Sequence, residues 1–250
     1  MMWLNRAVRI IYLSPHLDDA VLSAGGVIQA QADAGTPVEI WTIMAGIPHD
    51  LESPPFAQVM HRVWGFRSAL ETVEVRRTED RRAAARLGAG AVHLDFLDCI
   101  YRRGPDGEAL YSDVHVPPPP ADQDLPERIA RVLSSRLQPD DRLVCQLGIG
   151  RHVDHVIVRQ AAGLLGYHLL FDADMPYVLD HPAELEPNTA SLLESFEPVD
   201  ESGLDSWLSA IECYASQIDS VFGSRNLMQE RMKAYWSEHP GVRFWKAGAP

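Results

Sequence analysis

The sequence has few cysteines and almost no lysine. Cys99, Cys145 and Cys213 are the only cysteines among 250 residues, and Lys233 and Lys246 are the only lysines. The cysteines are odd in number, far apart and set among apolar neighbours, so we expect reduced thiols in the core and no disulfide framework. This cysteine usage favours a cytoplasmic location.

Long apolar runs and runs of basic residues are also missing. The N-terminal apolar stretch is short and is interrupted by Arg6 and Arg9, so we expect neither a signal peptide nor, there or elsewhere, the roughly 18 apolar residues of a membrane span. The chain has 22 Lys+Arg against 35 Asp+Glu, a net charge of −13. This balance argues against binding to nucleic acid or anionic lipid and favours a small-molecule substrate.

What the sequence does contain is an ordinary globular composition, with 46% hydrophobic and 23% charged residues, and an alternation of strands and helices. β-branched and aromatic runs predict strands over 8–13, 38–44, 91–97, 142–147 and 168–172. Helices are predicted over 19–34, up to Leu87-Gly88, over 126–137 and after His152. This alternation predicts a doubly wound, mostly parallel sheet in a three-layer α/β/α arrangement.

We expect one domain over residues 1–250, with a core to about residue 175 and a C-terminal extension over about 176–250. The alternation fades in the extension, which is predicted to hold a strand near 192–199 and helices near 204–220 and 224–236. The proline-rich segment 99–125 is too long for an ordinary connection, and we expect a surface loop near a functional site.

The loop after the first predicted strand carries Pro15-His16-Leu17-Asp18-Asp19. In an open parallel sheet the functional crevice lies at the carboxyl ends of the strands. Histidine and carboxylate bind borderline divalent cations, and His16 and Asp19 are close enough in sequence to bind one ion together. Asp18 would remain for proton transfer. The alternative is that Asp18 or Asp19 only caps the following helix.

A second group of ligand-type residues follows strand 142–147, in His152-Val153-Asp154-His155. The two histidines lie on one face of a helix start, within reach of one cavity. A catalytic zinc takes three protein ligands and keeps a fourth position open, which His16, Asp19 and His155 would satisfy. The alternative for this motif is a structural histidine pair hydrogen-bonded to Asp154.

The two motifs together resemble those of the zinc-dependent LmbE-like or PIG-L-type de-N-acetylases, whose signatures are Pro-His-x-Asp-Asp and His-x-Asp-His. Weaker similarities extend along the chain: the helix pattern from Arg76 to Gly88, the segment Asp172–Tyr177 and the segment Tyr214–Gln217. The resemblance implies Zn²⁺ on His16, Asp19 and His155, a general base in Asp18, and a polarising or proton-donating role for His152.

The same resemblance implies that Arg76 binds a substrate hydroxyl or charged group. Some members place a tyrosine two residues before the first histidine of the second motif, where it stabilises the oxyanion. Gly150 stands at that position here. Either His152 and the metal perform this role alone, or Tyr177 reaches the site.

The function implied is that of a single-domain, Rossmann-like zinc hydrolase that removes an acetyl group from an N-acetylated amino sugar, such as N-acetylglucosamine, or from a glycoconjugate. Three alternatives stay open: a metal-dependent amidase acting on a larger acyl-amide, a non-haem iron site, since two histidines and one carboxylate also describe the Fe(II) triad, and a metal-binding module without turnover. The exact substrate and whether the chain forms a homo-oligomer are also open.

One further pattern bears on the helix that ends near Leu87. Glu79 and Asp80 lie among several arginines, which predicts exposed ion pairs between residues four apart on the helix surface.

Overall fold

A computed structural model describes residues 8–49 and 52–247 of the chain. Within these residues, seven strands form one sheet in the order β3-β2-β1-β4-β5-β7-β6. The strands are β1 (Ile10–Ser14), β2 (Val38–Thr42), β3 (Gly90–His93), β4 (Arg142–Gln146), β5 (Leu169–Asp172), β6 (Leu192–Pro198) and β7 (Gly241–Ala247). The first five pair in parallel, whereas β7 pairs antiparallel with both β5 and β6.

Helices cover both faces of the sheet. They are α1 (Asp19–Asp33), α2 (Pro55–Val63), α3 (Ala69–Arg86), α4 (Leu125–Ser134), α5 (Val153–Gly163), α6 (Tyr177–Asp180), α7 (Leu185–Thr189), α8 (Glu201–Ile211), α9 (Ile218–Phe222) and α10 (Arg225–Glu238). α1, α8 and α10 contribute to the hydrophobic core on one face, and α4 and α5 to the core on the other. The predicted mostly parallel, three-layer α/β fold is therefore confirmed.

The central strands are buried because both of their faces are covered. Successive side chains of a strand point to opposite faces of a sheet. In β1, Tyr12 joins the core beneath α1, while Ile11 and Leu13 join the core beneath α5. Nearly continuous apolar runs are typical of such strands, which is why the sequence pattern located them.

The C-terminal elements differ in part from the prediction. The strand near 192–199 is present as β6, but β7 was not predicted, and it is inserted between β5 and β6. The helix expected over 204–220 is two helices, since α8 ends at Ile211 and α9 begins at Ile218. The division into a core and an extension stays a prediction, although β6 and β7 belong to the same sheet as the core strands.

The prediction of exposed ion pairs at Glu79 and Asp80 is wrong, because both side chains are buried. Glu79 accepts hydrogen bonds from the backbone N–H and the hydroxyl of Ser216, at 2.9 and 2.6 Å. Asp80 accepts a hydrogen bond from the Tyr214 hydroxyl at 2.7 Å and lies 2.8 Å from Nε2 of His93. These contacts fix α3 to the segment between α8 and α9.

No helix in the described part of the chain combines the length and the apolar character that crossing a membrane requires. The N-terminal stretch through Arg6, for which we expect no signal peptide, lies outside the described residues. All three cysteines are free thiols.

Candidate metal centre

Both sequence motifs lie at the carboxyl edge of the sheet. His16 to Asp19 follow β1 directly, and His152 to His155 follow β4 after one turn of 3-10 helix. β1 and β4 are parallel neighbours, and the strand order reverses between them. Ligand sites of open α/β sheets form at such a reversal point, because the loops on either side separate and leave a crevice.

The structure brings the three predicted metal ligands together around one carboxylate oxygen. Oδ2 of Asp19 lies 3.2 Å from Nδ1 of His16 and 3.3 Å from Nε2 of His155. His152 lies beside them. One ring nitrogen from each of the three histidines lies within 4.8 Å of the corresponding nitrogens of the other two. All four side chains are buried, so a cation bound here would be held by the protein more than by water.

The hydrogen bonding of His155 shows whether these residues suit a metal. Its Nδ1 lies 3.0 Å from Oδ1 of Asp174, so Nδ1–H donates to that carboxylate, and Nε2 would present a lone pair to a cation that replaces its proton. Within the described structure, Nε2 is buried and forms no hydrogen bond of regular geometry, a rare condition for a polar atom, and the atom that it faces at 3.3 Å is Oδ2 of the predicted ligand Asp19. A carboxylate behind a histidine whose other nitrogen is free is the usual arrangement around a metal ligand. The donor set therefore fits a divalent cation.

A second carboxylate holds His16 in the same way. Nε2 of His16 lies 3.1 Å from Oδ2 of Asp154, while its Nδ1 faces Asp19. Asp154 thus differs from the simple partner of a structural histidine pair, because its carboxylate contacts the histidine of the other motif. Its hydrogen bond to His152 comes from the backbone, whose N–H donates to Nδ1 at 3.1 Å.

The electrostatic environment favours positive charge between the two motifs. Burial by itself would lower the pKa of His155, but Asp19 and Asp174 raise it to about 9. Burial would likewise raise the pKa of Asp19, yet His155 and His16 hold it well below its ordinary range. A divalent cation would be stabilised by the same carboxylates.

The Asp18 side chain does not cap α1, which was the alternative role considered for it. Its side chain makes no capping hydrogen bond to α1; the Ser14 hydroxyl accepts from the N–H of Ala20 instead, at 3.1 Å. The Asp18 carboxylate lines the cavity and lies 3.5 Å from NH2 of Arg76. Burial, opposed by Arg76, raises the pKa of Asp18 to about 6, near the range in which a carboxylate can both accept and return a proton at neutral pH.

His152 is the N-cap residue of α5. Because its Nδ1 accepts the N–H of Asp154, the ring proton resides on Nε2. Burial and the neighbouring rings of His16 and His155 hold the pKa of His152 well below its ordinary range. A neutral ring with a hydrogen on Nε2 suits the polarising role rather than proton donation by an imidazolium.

The site opens into a cavity of about 290 Å³ that is lined by polar and apolar side chains. The apolar part includes Leu22, Met60, Trp64 and Val221. The guanidinium of Arg76 lies over the Trp64 ring, 4.9 Å from its centroid. This mixture of a polar floor and apolar walls is typical of a pocket for a small organic ligand.

The structure distinguishes the two adjacent arginines of α3. Arg76 is buried and faces the cavity. Arg77 instead donates to the backbone carbonyl of Ala45 at 2.7 Å and pairs with Asp95. Arg76 is thus the arginine placed to contact a ligand.

Tyr177 also lines the cavity, and its ring occupies the space beside Gly150. Its ring centroid lies 5.3 Å from that of His155. A Cβ atom added to Gly150 would lie 2.5 Å from Cδ1 of Tyr177, and Gly150 has a φ of +77°. Glycine at this position therefore leaves room for Tyr177 beside the predicted ligand His155.

Three side chains at the site were not predicted. Asp174 follows the end of β5 at the same edge of the sheet, so the strand-end rule that found the two motifs applied to it as well. Asp98 lies 3.8 Å from Nε2 of His16 and follows the predicted strand 91–97, so the same rule applied to it. Trp64 directly follows α2, a helix that was not predicted. No local pattern marks Trp64, because its position depends on packing.

Comparison with known proteins agrees with this geometry. Residues 11–164 match the model of the PIG-L family, described as GlcNAc-PI de-N-acetylase. The 2′-N-acetylparomamine deacetylase of Streptomyces fradiae is 29% identical, covering 92% of this chain and 80% of that protein. The enzyme of the same name from Niallia circulans is 23% identical, covering 94% and 93%.

A solved structure supports the same relationship over the full fold. The crystal structure of the zinc-inhibited form of the teicoplanin deacetylase Orf2 is 29% identical, with a TM-score of 0.85, and the match covers 96% of this chain and 97% of that one. The family model spans well over half of the sequence and includes both ligand motifs. The resemblance is therefore confirmed, and this chain belongs to the PIG-L family of de-N-acetylases.

Proposed function

We propose that this protein is a zinc-dependent hydrolase that removes the acetyl group from an N-acetylated amino sugar or a glycoconjugate that carries one. The observation that carries the proposal is the convergence of His16, Asp19 and His155 on one point, with Asp18 and His152 beside it in the cavity. Relatives along nearly the whole chain are deacetylases named for 2′-N-acetylparomamine and teicoplanin.

His16, Asp19 and His155 would hold the zinc, with Nδ1, Oδ2 and Nε2 as the respective ligand atoms. Zinc supplies a Lewis acid and lowers the pKa of a bound water toward about 7. Asp18 accepts a proton from the attacking water as the new C–O bond forms at the amide carbon. The Nε2–H of His152 donates a hydrogen bond to the carbonyl oxygen as that oxygen becomes negative. Asp18 then returns the proton to the leaving nitrogen, so that the C–N bond breaks and a free amine and acetic acid result, the acid ionising to acetate at neutral pH.

The remaining predicted residues would bind the sugar. Arg76 would contact a hydroxyl or an anionic group, and its position over Trp64 keeps the guanidinium at the cavity wall. Trp64 would offer an apolar face to the sugar ring. Tyr177, beside His155, would direct its hydroxyl toward the acyl oxygen or a neighbouring substrate group.

A second candidate is an amidase that acts on a longer acyl group. A narrow apolar recess opens beside Asp18 and is lined in part by Leu22, Ile211, Val221 and Phe222. The recess has a volume of only about 10 Å³, so an acyl group longer than acetyl would extend into the cavity of about 290 Å³ instead.

The test is acid release from a panel of acylated amino sugars. Apoprotein would be reconstituted with Zn²⁺ or Fe²⁺ and assayed with N-acetylglucosamine, an N-acetylated aminoglycoside and an N-acetylated glycopeptide, each also prepared with a longer acyl chain. Zinc-dependent acetate release supports the proposal, and faster release of the longer acids supports the second candidate. If no acid were released from any substrate of the panel while one zinc was bound per chain, both candidate functions would be contradicted.

A further inference from the structure

A buried arginine outside both motifs contacts the metal centre through one carboxylate. Arg102 lies on the long segment between β3 and α4, and only 7% of it is exposed. Its NH2 lies 2.7 Å from Oδ1 of Asp154, and its Nε lies 2.7 Å from Oδ2 of Asp122. Its NH1 donates to the backbone carbonyl of Leu97 at 3.0 Å. Arg102 therefore pairs with two buried carboxylates at once.

Asp154 joins this arginine to a predicted metal ligand. It is completely buried, and its Oδ2 contacts Nε2 of His16 at 3.1 Å and the backbone N–H of Cys99 at 2.9 Å. A buried carboxylate without an opposite charge is strongly unfavourable. The ion pair with Arg102 thus stabilises the ionised carboxylate of Asp154, which is shielded from water beside His16.

Arg102 is itself held in place by its own segment. The Tyr111 ring lies under the guanidinium, with the centroid 4.9 Å from Cζ, and the Tyr111 hydroxyl donates to Asp122 at 2.6 Å. Tyr111 and Asp122 are buried as well. The segment predicted as a surface loop therefore carries an internal polar cluster, and only parts of it are exposed.

We propose that Arg102 is a positioning residue of the metal centre: it fixes Asp154, which in turn orients the His16 ring so that Nδ1 faces Asp19 and His155. The inference rests on the proposed function in one respect, namely that these residues bind zinc. The two 2.7 Å contacts are ion pairs, and a guanidinium suits this task because it is always charged and its planar group can face two carboxylates at once.

The test compares two neighbouring arginines. Arg102→Met removes the charge and keeps the length of the side chain. Arg103→Met is the matched control, because Arg103 donates to the carbonyls of Gly107 and Glu52 and makes no described contact with Asp154. Zinc affinity would be measured by competition with a chromogenic chelator. We expect a loss of about 10- to 100-fold for Arg102→Met, the usual effect of removing a partner behind a metal ligand, and no loss for Arg103→Met.

A spectroscopic measurement separates positioning from general stability. The visible absorption of the Co²⁺-substituted protein reports the ligand field, so a reoriented His16 changes it in Arg102→Met and leaves it unchanged in Arg103→Met. Wild-type affinity together with a wild-type spectrum in Arg102→Met would overturn the proposal.

If Arg102→Met does not fold, Arg102→Lys tests whether Arg102 positions the proposed metal centre. Lysine keeps the charge but cannot pair with both carboxylates as a fork. Weaker zinc binding with an unchanged thermal midpoint of the apoprotein supports the proposal, and unchanged zinc binding overturns it. Neither readout needs substrate, so Arg102-dependent zinc binding without acetate release would leave this inference standing and remove the proposed function. A wild-type chain that binds no zinc would overturn both.

Discussion

Asp18 lies where the proposed chemistry needs a base, next to the ligands yet turned toward the cavity. Its carboxylate is buried, contacts Arg76 and makes no capping bond to α1. A carboxylate that is not needed to hold either the metal or the helix can be changed without dismantling the site. The proposed chemical role of Asp18 can therefore be tested without changing the predicted metal ligands or α1.

Asp18→Asn should therefore keep zinc and lose turnover. The amide has the same shape but cannot accept the proton of water, and a positioned acid–base group contributes about 10²-fold or more to the rate. Zinc content by atomic emission and acetate release on the best panel substrate would be measured in parallel. Wild-type turnover at equal zinc content would refute the assignment.

Gly150 is the residue on which the position of Tyr177 depends. Gly150→Ala should destabilise the protein and lower turnover, because the new Cβ would overlap with the Tyr177 ring in addition to straining a positive φ. Gly107→Ala is the control, since Gly107 also has a positive φ of +83° but meets no atom within 4 Å.

Urea unfolding would give the free energy of unfolding of both glycine variants. Backbone strain alone costs about 1–2 kcal/mol, which is the loss expected for Gly107→Ala with turnover unchanged. Gly150→Ala should lose at least about 1 kcal/mol more, as overpacking does. Equal losses in the two variants would show that Tyr177 does not press on this position.

At the scale of elements, α8 packs extensively against α1 in the described structure. The Trp207 indole of α8 is fully buried and donates to the carbonyl of Val21 at 2.7 Å. α1 departs from helical geometry at Ala24, and Gly25 and Gly26 face the indole. The glycines thus let α8 approach the helix that begins with Asp19.

Gly25→Ala should destabilise the protein by about 1–3 kcal/mol through overpacking, although alanine ordinarily stabilises a helix by up to about 1 kcal/mol relative to glycine. The reason is that a Cβ at Gly25 would overlap with Cδ1 of Trp207. Gly163→Ala in α5 is the matched control, because no atom lies within 4 Å of that position.

Denaturant midpoints and slopes would give the free energy of unfolding of each helix variant. Gly163→Ala should be neutral or slightly more stable than wild type. If Gly25→Ala proved equally stable, the packing of α8 on α1 would be looser than the structure indicates.

At the scale of the whole molecule, the candidate metal centre groups several buried carboxylates, of which Asp18 faces Arg76 and Asp154 faces Arg102. Asp18, Asp19, Asp154 and Asp174 are all buried within the loops at one edge of the sheet. A bound cation would balance part of this charge, and anything that binds only the folded state stabilises it, by about 2.7 kcal/mol at a ligand concentration of 100 Kd.

Removal of metal with a chelator should therefore lower the thermal midpoint, and added zinc should restore it. His155→Ala should abolish the zinc-dependent shift, whereas His168→Ala should retain it, because His168 is exposed just before β5, at the opposite edge of the sheet. Calorimetry of the apo and zinc-loaded proteins would measure the shifts. An identical shift in His155→Ala would exclude this residue as a ligand.

Local sequence patterns were sufficient for the parallel strands and for the two ligand motifs. Strands such as β1 and β4 are buried on both faces, so their apolar runs stand out, and ligand residues directly after such strands share one edge of the sheet by the geometry of parallel pairing. On this basis the sequence alone groups His16, Asp19, His152 and His155.

Contacts between distant segments were settled only by the tertiary structure. Glu79 looked like part of a charged helix surface but meets Ser216, Tyr177 takes the space beside Gly150, and Arg102 reaches Asp154. In each case the partner is far away in sequence, and its identity depends on how whole elements pack. Periodicity reports which face of an element is buried, but it does not report which side chain from another element will lie against it.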